Sequence, residues 1–304
     1  MKAIELSVLA AIWGASFLFM RVAVPDFGPI ALIALRVGIA ALILLPAIRQ
    51  AEAFAQFRSK LWPLFVVGLT NSALPFCLFA WSTLYVNAGL DSVLNATTPL
   101  WAAAIAATVY GASIGGAQIV GLLLGLVGVV VLASNTVHAG AGKIPLAIGA
   151  ALLATLLYGF AVNYSKRRLA GIRPFVVAFG SQFFASVVLV PLALLFWPRH
   201  AISPTAWASV TALGVLCTGL AYVLYFRLVE HVGASYAASV TFVVPIFGVL
   251  WGAVFLGEKI TPAMIVGGVI ILVGTGLGSG KLKPPRLPRA PAAGNPPPSS
   301  SDRH

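Results

Sequence analysis

The sequence predicts an all-α integral membrane protein with ten transmembrane helices, arranged as two inverted five-helix repeats around a central cavity. Three observations lead to this fold class: the composition, the length of the apolar segments and an internal repeat of glycine and proline positions. Of the 304 residues, 60% are hydrophobic and only 9% are charged, whereas a soluble domain carries about 25% charged residues. Such a chain has too little polar surface to remain folded in water.

Apolar segments recur between short polar breaks, and each is close to the ~20 residues that a helix needs to cross ~30 Å of hydrocarbon. These segments are continuously apolar, unlike the alternating ~10-residue strands of a membrane β-barrel. Helices are therefore predicted. The ten predicted spans cover residues 4–23, 28–48, 61–80, 86–109, 118–134, 145–164, 174–197, 205–226, 234–255 and 262–278.

The net charge of +12 would suggest nucleic-acid binding in a soluble protein, so the position of the charges matters. With a cytoplasmic N-terminus, 14 of the 19 Lys and Arg residues fall on the cytoplasmic side and only four on the other. These four are Arg21, Lys143, Arg199 and Lys259. This asymmetry predicts an inner-membrane protein with both termini in the cytoplasm. The basic excess then reflects topology, and no nucleic-acid partner is expected.

The spans divide the chain into residues 1–138, with the first five helices, and residues 139–280, with the second five. Residues 281–304 are rich in proline, serine and basic residues, which predicts a disordered cytoplasmic tail. Cys77 and Cys217 lie inside spans without metal-binding neighbours. No catalytic set, phosphate-binding loop or metal cluster is found, so no enzyme activity, cofactor or metal is expected.

The two halves align at a nearly constant offset. At 145 residues Pro29 pairs with Pro174, and at 146 residues Pro99 pairs with Pro245. Further pairs at 146 are Gly68–Gly214, Ala88–Ala234, Gly111–Gly257, Gly121–Gly267 and Gly128–Gly274. A repeat with five helices places its second copy upside down in the membrane, and inverted repeats are typical of alternating-access transporters. The alternative is that the repeat is only a relic of duplication.

Three segments carry a resemblance to a known family: AAIWGASFLFMRVAV, IALRVGIAALILLP and TFVVPIFGVLWGAVFLGEKITP. The chain is similar here to EamA-type members of the drug/metabolite transporter superfamily, and the resemblance covers residues 4–278. It implies ten helices around a central cavity and a role similar to that of amino acid and metabolite exporters. One departure is Ala112, which stands where the family often has an acidic residue; the second half keeps it as Glu258.

Pro99 and Pro245 are predicted helix breaks at equivalent positions of the two halves. Each proline frees the carbonyl four residues earlier, at Asn95 and Thr241. Interrupted helices at corresponding places indicate a transporter's substrate site. The alternative is that neighbouring Ser or Thr side chains satisfy these carbonyls and the helices are merely kinked.

Polar and aromatic residues on the inner faces of several spans are predicted to bind substrate. The candidates are Trp13, Ser16, Asn71, Asn95, Thr98, Trp101, Tyr158, Tyr222 and Thr241. The aromatic members could stack on a flat or apolar substrate group. Helix packing is an equally open interpretation for each of them.

Arg36 is the only basic residue well inside a span, where an unpaired charge is costly. Arg36 is predicted in the outer half of the membrane, as is Asp91, near the outer end of the fourth span. We expect the two to form a gating charge pair on the outer side of the cavity. Snorkelling of Arg36 to the headgroups, or binding of a substrate carboxylate, are the alternatives.

The predicted function is secondary transport, with export favoured, of small neutral or zwitterionic organic solutes by alternating access. The expected solutes are amino acids, aromatic ones included, or related metabolites. Two alternatives stay open: an exporter of lipophilic cations, and a membrane-embedded lipid-acting enzyme or assembly factor. The expected partners are a small-molecule substrate and membrane lipid. The oligomeric state stays open, with a monomer as the expectation.

Overall fold

The computed structural model describes residues 2–139 and 142–280, with the backbone alone for 134–139 and 235. The predicted tail at 281–304 lies outside these residues. Within them the regular structure is helical, and no strand occurs in the described part of the chain. The predicted all-α membrane fold is therefore confirmed at this level.

The first half contains seven α-helices, one 3-10 turn and one π-helical turn. Its elements are α1 (Lys2–Leu44), a 3-10 turn (Leu45–Ile48), α2 (Ala51–Ser59), α3 (Leu61–Gly68), a π-helical turn (Leu69–Ala73), α4 (Leu74–Ser82), α5 (Ala88–Asn95), α6 (Thr98–Thr108) and α7 (Gly116–Ala139). The second half continues with α8 (Ile144–Arg168), α9 (Pro174–Leu195), α10 (Pro204–Gly214), a second π-helical turn (Val215–Leu220), α11 (Ala221–Val232), α12 (Ala234–Ala237), α13 (Val240–Leu256) and α14 (Pro262–Gly278).

Six helical segments of the described chain are long and apolar enough to cross a bilayer. They are Lys2–Ile48, Leu61–Ser82, Gly116–Ala133, Ile144–Arg168, Pro174–Leu195 and Pro204–Val232. Helices α13 and α14 are apolar but shorter. The first segment has 47 residues, about twice what one crossing needs. The chain is thus a multi-pass membrane protein.

Helix α1 merges the first two predicted spans into one helical stretch with a single interruption. At Gly28 the backbone has φ 70° and ψ 163°, and Pro25 and Pro29 flank this point. A side chain would disfavour that positive φ, and Pro29 has no N–H to leave unbonded. The predicted spans 4–23 and 28–48 therefore follow one another without a separate loop, and the kink between them lies at Gly28.

Side-chain contacts distinguish the two ends of the bundle. We call the end where α1 begins the near face; there Arg173 pairs with Glu52 at 2.5 Å, joining the α8–α9 turn to α2. Helix α2 was not predicted; it packs through Ala53 and Phe57, four residues apart. At the opposite end, the far face, Lys143 Nζ donates to the Tyr85 hydroxyl at 3.2 Å.

Helices α7 and α14 pack along a seam of glycines. A Cβ placed on Gly128 would lie 2.9 Å from the Gly267 oxygen, and one placed on Gly274 would lie 2.7 Å from the Gly121 oxygen. Small residues let helix backbones approach this closely, which is how helices associate in lipid. Because the opposing atoms are backbone, no side-chain rotation could make room for a larger residue.

Several contacts recur when residue numbers are shifted by 145 or 146. Gly14 lies against Phe247 and Gly248, while Gly159 lies against Trp101 and Ala102. Likewise the tight contact of Gly68 with Phe184 has its counterpart in that of Gly214 with Ile39. The two π-helical turns begin 146 residues apart, at Leu69 and Val215. Equivalent residues of the two halves thus meet equivalent neighbours.

The glycine seam gives a stability prediction. Gly128→Val should lower the melting temperature of the purified protein in detergent, because its side chain must displace the α14 backbone at a cost of about 1–3 kcal/mol. Gly149→Ala on α8 is the matched control, since no atom lies within 4 Å of an added Cβ there. Equal melting temperatures for both variants would show that the seam does not constrain the fold.

Candidate functional site

Arg36 lies in the middle of the bundle, eight residues after the interruption of α1, and only 4% of its surface is exposed. Its Nε donates to Thr218 Oγ1 at 2.9 Å, and its Nη1 lies 3.6 Å from the Met20 sulfur. The guanidinium carbon lies 3.8 Å from the centre of the Phe76 ring, a cation–π contact. The side chain is thus held from three sides.

The π-helical turns bring polar groups to this centre. Thr218 donates its hydroxyl to the Leu213 carbonyl, five residues earlier, at 2.8 Å, which leaves the oxygen lone pairs for Arg36. At the π-helical turn of the first half, Ser72 Oγ accepts a hydrogen bond from Gln182 Nε2 of α9 at 2.9 Å. Since Ser72 corresponds to Thr218 at an offset of 146, the two turns make similar contacts, one with a cation and one with a neutral amide.

A cavity of about 220 Å³ lies between the centre and the near face. Its walls come from both halves of the chain: α3 and its π-helical turn, α8, α9 and α11. The lining residues are Val67, Asn71, Ala161, Val162, Ser165, Val177, Ala178, Ser181, Tyr222 and Phe226. Asn71 Nδ2 donates to the Tyr222 hydroxyl at 3.4 Å across the cavity. A mostly apolar wall with a few polar groups suits a small organic molecule.

A larger depression of about 510 Å³ is lined by Trp207, Ala208, Thr211, Ala212, Val215 and Leu216. All six residues belong to one continuous stretch, α10 and the π-helical turn that follows it. A depression formed by one helical stretch is a groove on the outside of the bundle, so the smaller cavity between the halves is the better candidate.

At the far face, Glu258 binds the start of α5. Its Oε1 accepts from the Ala88 N–H at 2.7 Å and its Oε2 from the Gly89 N–H at 3.0 Å. The first N–H groups of a helix lack partners within it and attract a negative charge. No role was predicted for Glu258 from the sequence. The repeat offset relates Ala88 to Ala234 and Ala112 to Glu258. This relation could have indicated a role for Glu258.

The predicted Arg36–Asp91 pair is not formed. Asp91 Oδ1 accepts from Ser82 Oγ at 2.8 Å, and its other oxygen is buried without a partner among the described residues. The only ion pair in the described part of the chain is Arg173–Glu52. A shared place in the outer half did not bring the two charges together, because Arg36 faces Thr218 while Asp91 faces Ser82 at the end of α4.

The helix breaks differ between the halves. Pro99 stands at the start of α6, after a turn over 96–97, and Thr98 Oγ1 donates to the Asn95 carbonyl at 2.9 Å. The carbonyl freed by Pro99 is thus satisfied by a neighbouring Thr. The break predicted at Pro245 is wrong, because Pro245 lies inside the continuous α13. The interruption falls instead at 238–239, ahead of α13.

Of the nine predicted substrate-binding residues, Asn71 and Tyr222 line the cavity. Tyr158 stacks on Phe79 at 6.2 Å between ring centres, and Trp13 lies 5.5 Å from the Tyr225 ring. These aromatic side chains connect the cavity walls to the centre of the bundle. They remain candidates for contact with a bound molecule.

The other predicted residues have local partners or none. Thr241 Oγ1 donates to the Ala238 carbonyl at 2.9 Å, and Trp101 packs against Gly159. The Trp101 Nε1 and the Ser16 hydroxyl are buried without partners among the described residues. None of these residues, nor Asn95 or Thr98, lines the 220 Å³ cavity.

The sequence matches a known family over nearly its full described length. The sequence model of the EamA-like transporter family matches residues 1–134 and, separately, residues 145–279. The chain belongs to the EamA-like transporter family. The resemblance inferred from the three sequence segments is therefore confirmed, and each half of the chain carries its own match.

Several relatives of this EamA-like chain carry names. A probable terminal-alkyne amino-acid exporter of Streptantibioticus cattleyicolor is 26% identical over 275 residues, covering 90% of this chain and 92% of that protein. A probable amino-acid metabolite efflux pump of Escherichia coli K12 is 25% identical over 283 residues, covering 88% and 91%. An uncharacterized transporter of Archaeoglobus fulgidus is 23% identical over 277 residues, covering 90% and 96%.

One solved crystal structure has the same fold as this EamA-like protein. The TM-score is 0.63 at 20% sequence identity, and the match covers 94% of this chain and 99% of the other. Identity at this level supports the shared fold alone.

The Glu258 contact gives a conformational prediction. Glu258→Ala should widen the distance between spin labels at Val86 and Lys259, because two hydrogen bonds to the start of α5, about 1.5–3 kcal/mol each for a charged acceptor, are lost at the far face. Glu258→Gln should have a smaller effect, since an amide oxygen still accepts.

Glu230→Ala is the control for this experiment, because Glu230 is an exposed carboxylate on α11. The control should leave the distance distribution unchanged. If Glu258→Ala and wild type give the same distribution, Glu258 does not fix this distance at the far face.

Proposed function

We propose that this protein is a secondary transporter that exports small neutral or zwitterionic organic solutes, amino acids or related metabolites, by alternating access. The observation that carries the proposal is the 220 Å³ cavity between the two halves, which lies toward the near face, while at the far face Glu258 binds the start of α5. A site accessible from one side at a time is what alternating access requires. The relatives named as amino-acid exporters support the choice of substrate.

The proposed architecture has ten crossings in two inverted five-helix repeats. In this arrangement α5 with α6 forms the fourth crossing, and α12 with α13 forms the ninth. The two separate family matches and the recurring glycine contacts support the duplication. Each repeat then supplies half of the cavity, so a rocking movement of one against the other would move the opening from one face to the other.

The proposed location is the inner membrane, with the near face and both termini in the cytoplasm. The basic residues support this orientation, since Arg58, Lys166, Arg167 and Arg173 all lie near that face. The cavity would then be open to the cytoplasm, where an exporter collects its substrate.

The two alternative functions have less support. A lipophilic cation would be repelled by Arg36, which has no acidic partner in the described part of the chain. A lipid-acting enzyme would need reactive groups clustered at one membrane surface, whereas the cavity extends toward the middle of the bundle.

Transport can be tested with purified protein in liposomes. Wild type should exchange at least one radiolabelled L-amino acid from a broad panel. Asn71→Leu should reduce this flux several-fold, because the larger apolar side chain fills the cavity and removes the bond to Tyr222. Thr211→Val, in the groove outside the bundle, should transport like wild type. Absence of flux for every amino acid and related metabolite would refute the proposed substrate class.

Topology can be tested by cysteine labelling of intact cells. A membrane-impermeant maleimide should label Ile202→Cys at the far face, but should label Ala55→Cys and Ala170→Cys only after the cells are opened. Native Cys77 and Cys217 lie half-buried and buried within the helices, so the background should be low. The reverse pattern would place the near face outside.

A further inference from the structure

The charge of Arg36 has no counter-charge within the described protein. The chain contains seven acidic residues, and the buried one, Asp91, bonds to Ser82. Glu258 bonds to α5, Glu52 to Arg173 and Asp26 to the Ser203 N–H. Glu5 and Glu230 form no ion pair, and Asp302 lies outside the described residues. A buried guanidinium is therefore left with neutral neighbours.

These neighbours satisfy only part of the guanidinium. An arginine has five N–H donors, arranged along the edge of a flat group. The Nε donor is bonded to Thr218, one Nη1 donor meets the Met20 sulfur, and the Phe76 ring covers one face. No acceptor among the described residues bonds to Nη2. The Nη1–Nη2 edge of the guanidinium, which could hold a carboxylate through two parallel hydrogen bonds, thus keeps donors without partners among the described residues.

The position of Arg36 relates it to the cavity. Thr218, which holds Nε, is four residues before Tyr222, and residues at this spacing lie on one face of a helix. Tyr222 lines the cavity. Arg36 therefore lies next to the inner end of the cavity, where a molecule entering from the near face would stop.

Leaving this charge unpaired in a membrane protein is expensive, which favours binding of a ligand that neutralises it. Arginine binds planar carboxylates in a two-bond geometry that lysine cannot reproduce. The cavity volume of about 220 Å³ is below the ~300–1,000 Å³ of pockets for drug-sized ligands. Charge, geometry and size together indicate a small carboxylate.

We propose that Arg36 binds the carboxylate of the transported solute, so that the substrates are small carboxylic acids such as amino acids. This inference rests on the proposed function and narrows it: the substrate enters through the near-face cavity with its carboxylate leading. Phe76 and Thr218 position the guanidinium. The substrate side chain then lies toward Tyr158 and Tyr222.

Binding can be measured separately from transport. The melting temperature of purified wild-type protein should rise with concentration of an L-amino acid, but not with that of its carboxamide. The probes are alanine, leucine, phenylalanine and tryptophan, each paired with its amide. Because an amide keeps the size and the amino group but loses the negative charge, the difference reports on the carboxylate. No acid stabilising the protein more than its amide would overturn the inference.

Variants of Arg36 test whether this residue binds the carboxylate. Arg36→Gln should weaken the apparent affinity for the stabilising acid by roughly 30-fold or more, as when one partner of a buried charge pair is removed. Arg36→Lys should give an intermediate loss, because the charge remains and the two-bond geometry does not. Arg173→Gln, which removes an arginine from the near-face ion pair, should bind like wild type. Unchanged affinity in a folded Arg36→Gln protein would overturn the inference.

Two further results separate the possible outcomes. If chloride stabilises wild type as well as the acid does and competes with it, the site is one for inorganic anions and the inference is wrong. If the acid binds through Arg36 but liposomes show no flux, the proposed transport fails while the carboxylate site stands. Should Arg36→Gln not fold, the acid and amide comparison on wild type still decides the question.

Discussion

A bilayer offers no hydrogen-bond partners, so every polar group within it must be satisfied by the chain itself. The positions of the few polar residues follow from this constraint. Thr98 bonds the carbonyl that Pro99 frees, and Thr218 bonds the Leu213 carbonyl within its π-helical turn. Glu258 supplies acceptors for the first N–H groups of α5. Among the described residues, Ser16, Asp91 and Trp101 keep buried polar atoms without partners, and Arg36 has no ionic partner.

The sequence predicted the helical membrane architecture well because composition and segment length depend only on the solvent, which is lipid. It also predicted the offset at which glycine contacts recur, since a duplicated helix packs through the same small residues in both copies. Helix boundaries were less predictable where the backbone conformation changes over one or two residues. The turn at Gly28 and the continuity of α13 through Pro245 depend on neighbouring helices, which residue spacing does not reveal.

The site was predicted only in part, for a related reason. Spacing gives the depth of a residue in the membrane, but the direction in which its side chain points depends on helix rotation. Spacing placed Arg36 and Asp91 in the same half of the membrane, yet they face different helices. Asn71 and Tyr222 were predicted from their polar groups on the inner faces of two helices, and these side chains meet across the cavity. Glu258 was missed because its partners are backbone groups, which carry no residue signature.

The seam between α7 and α14 has a genetic consequence. Any amino-acid change that a single base can make in a glycine codon introduces a residue with at least a Cβ, and the opposing atoms at Gly121, Gly128, Gly267 and Gly274 are backbone. Every missense change at these four codons therefore pushes two helices apart. The walls of the cavity, by contrast, are side chains that can change size one position at a time. Point mutations can therefore reshape the cavity while the seam stays fixed.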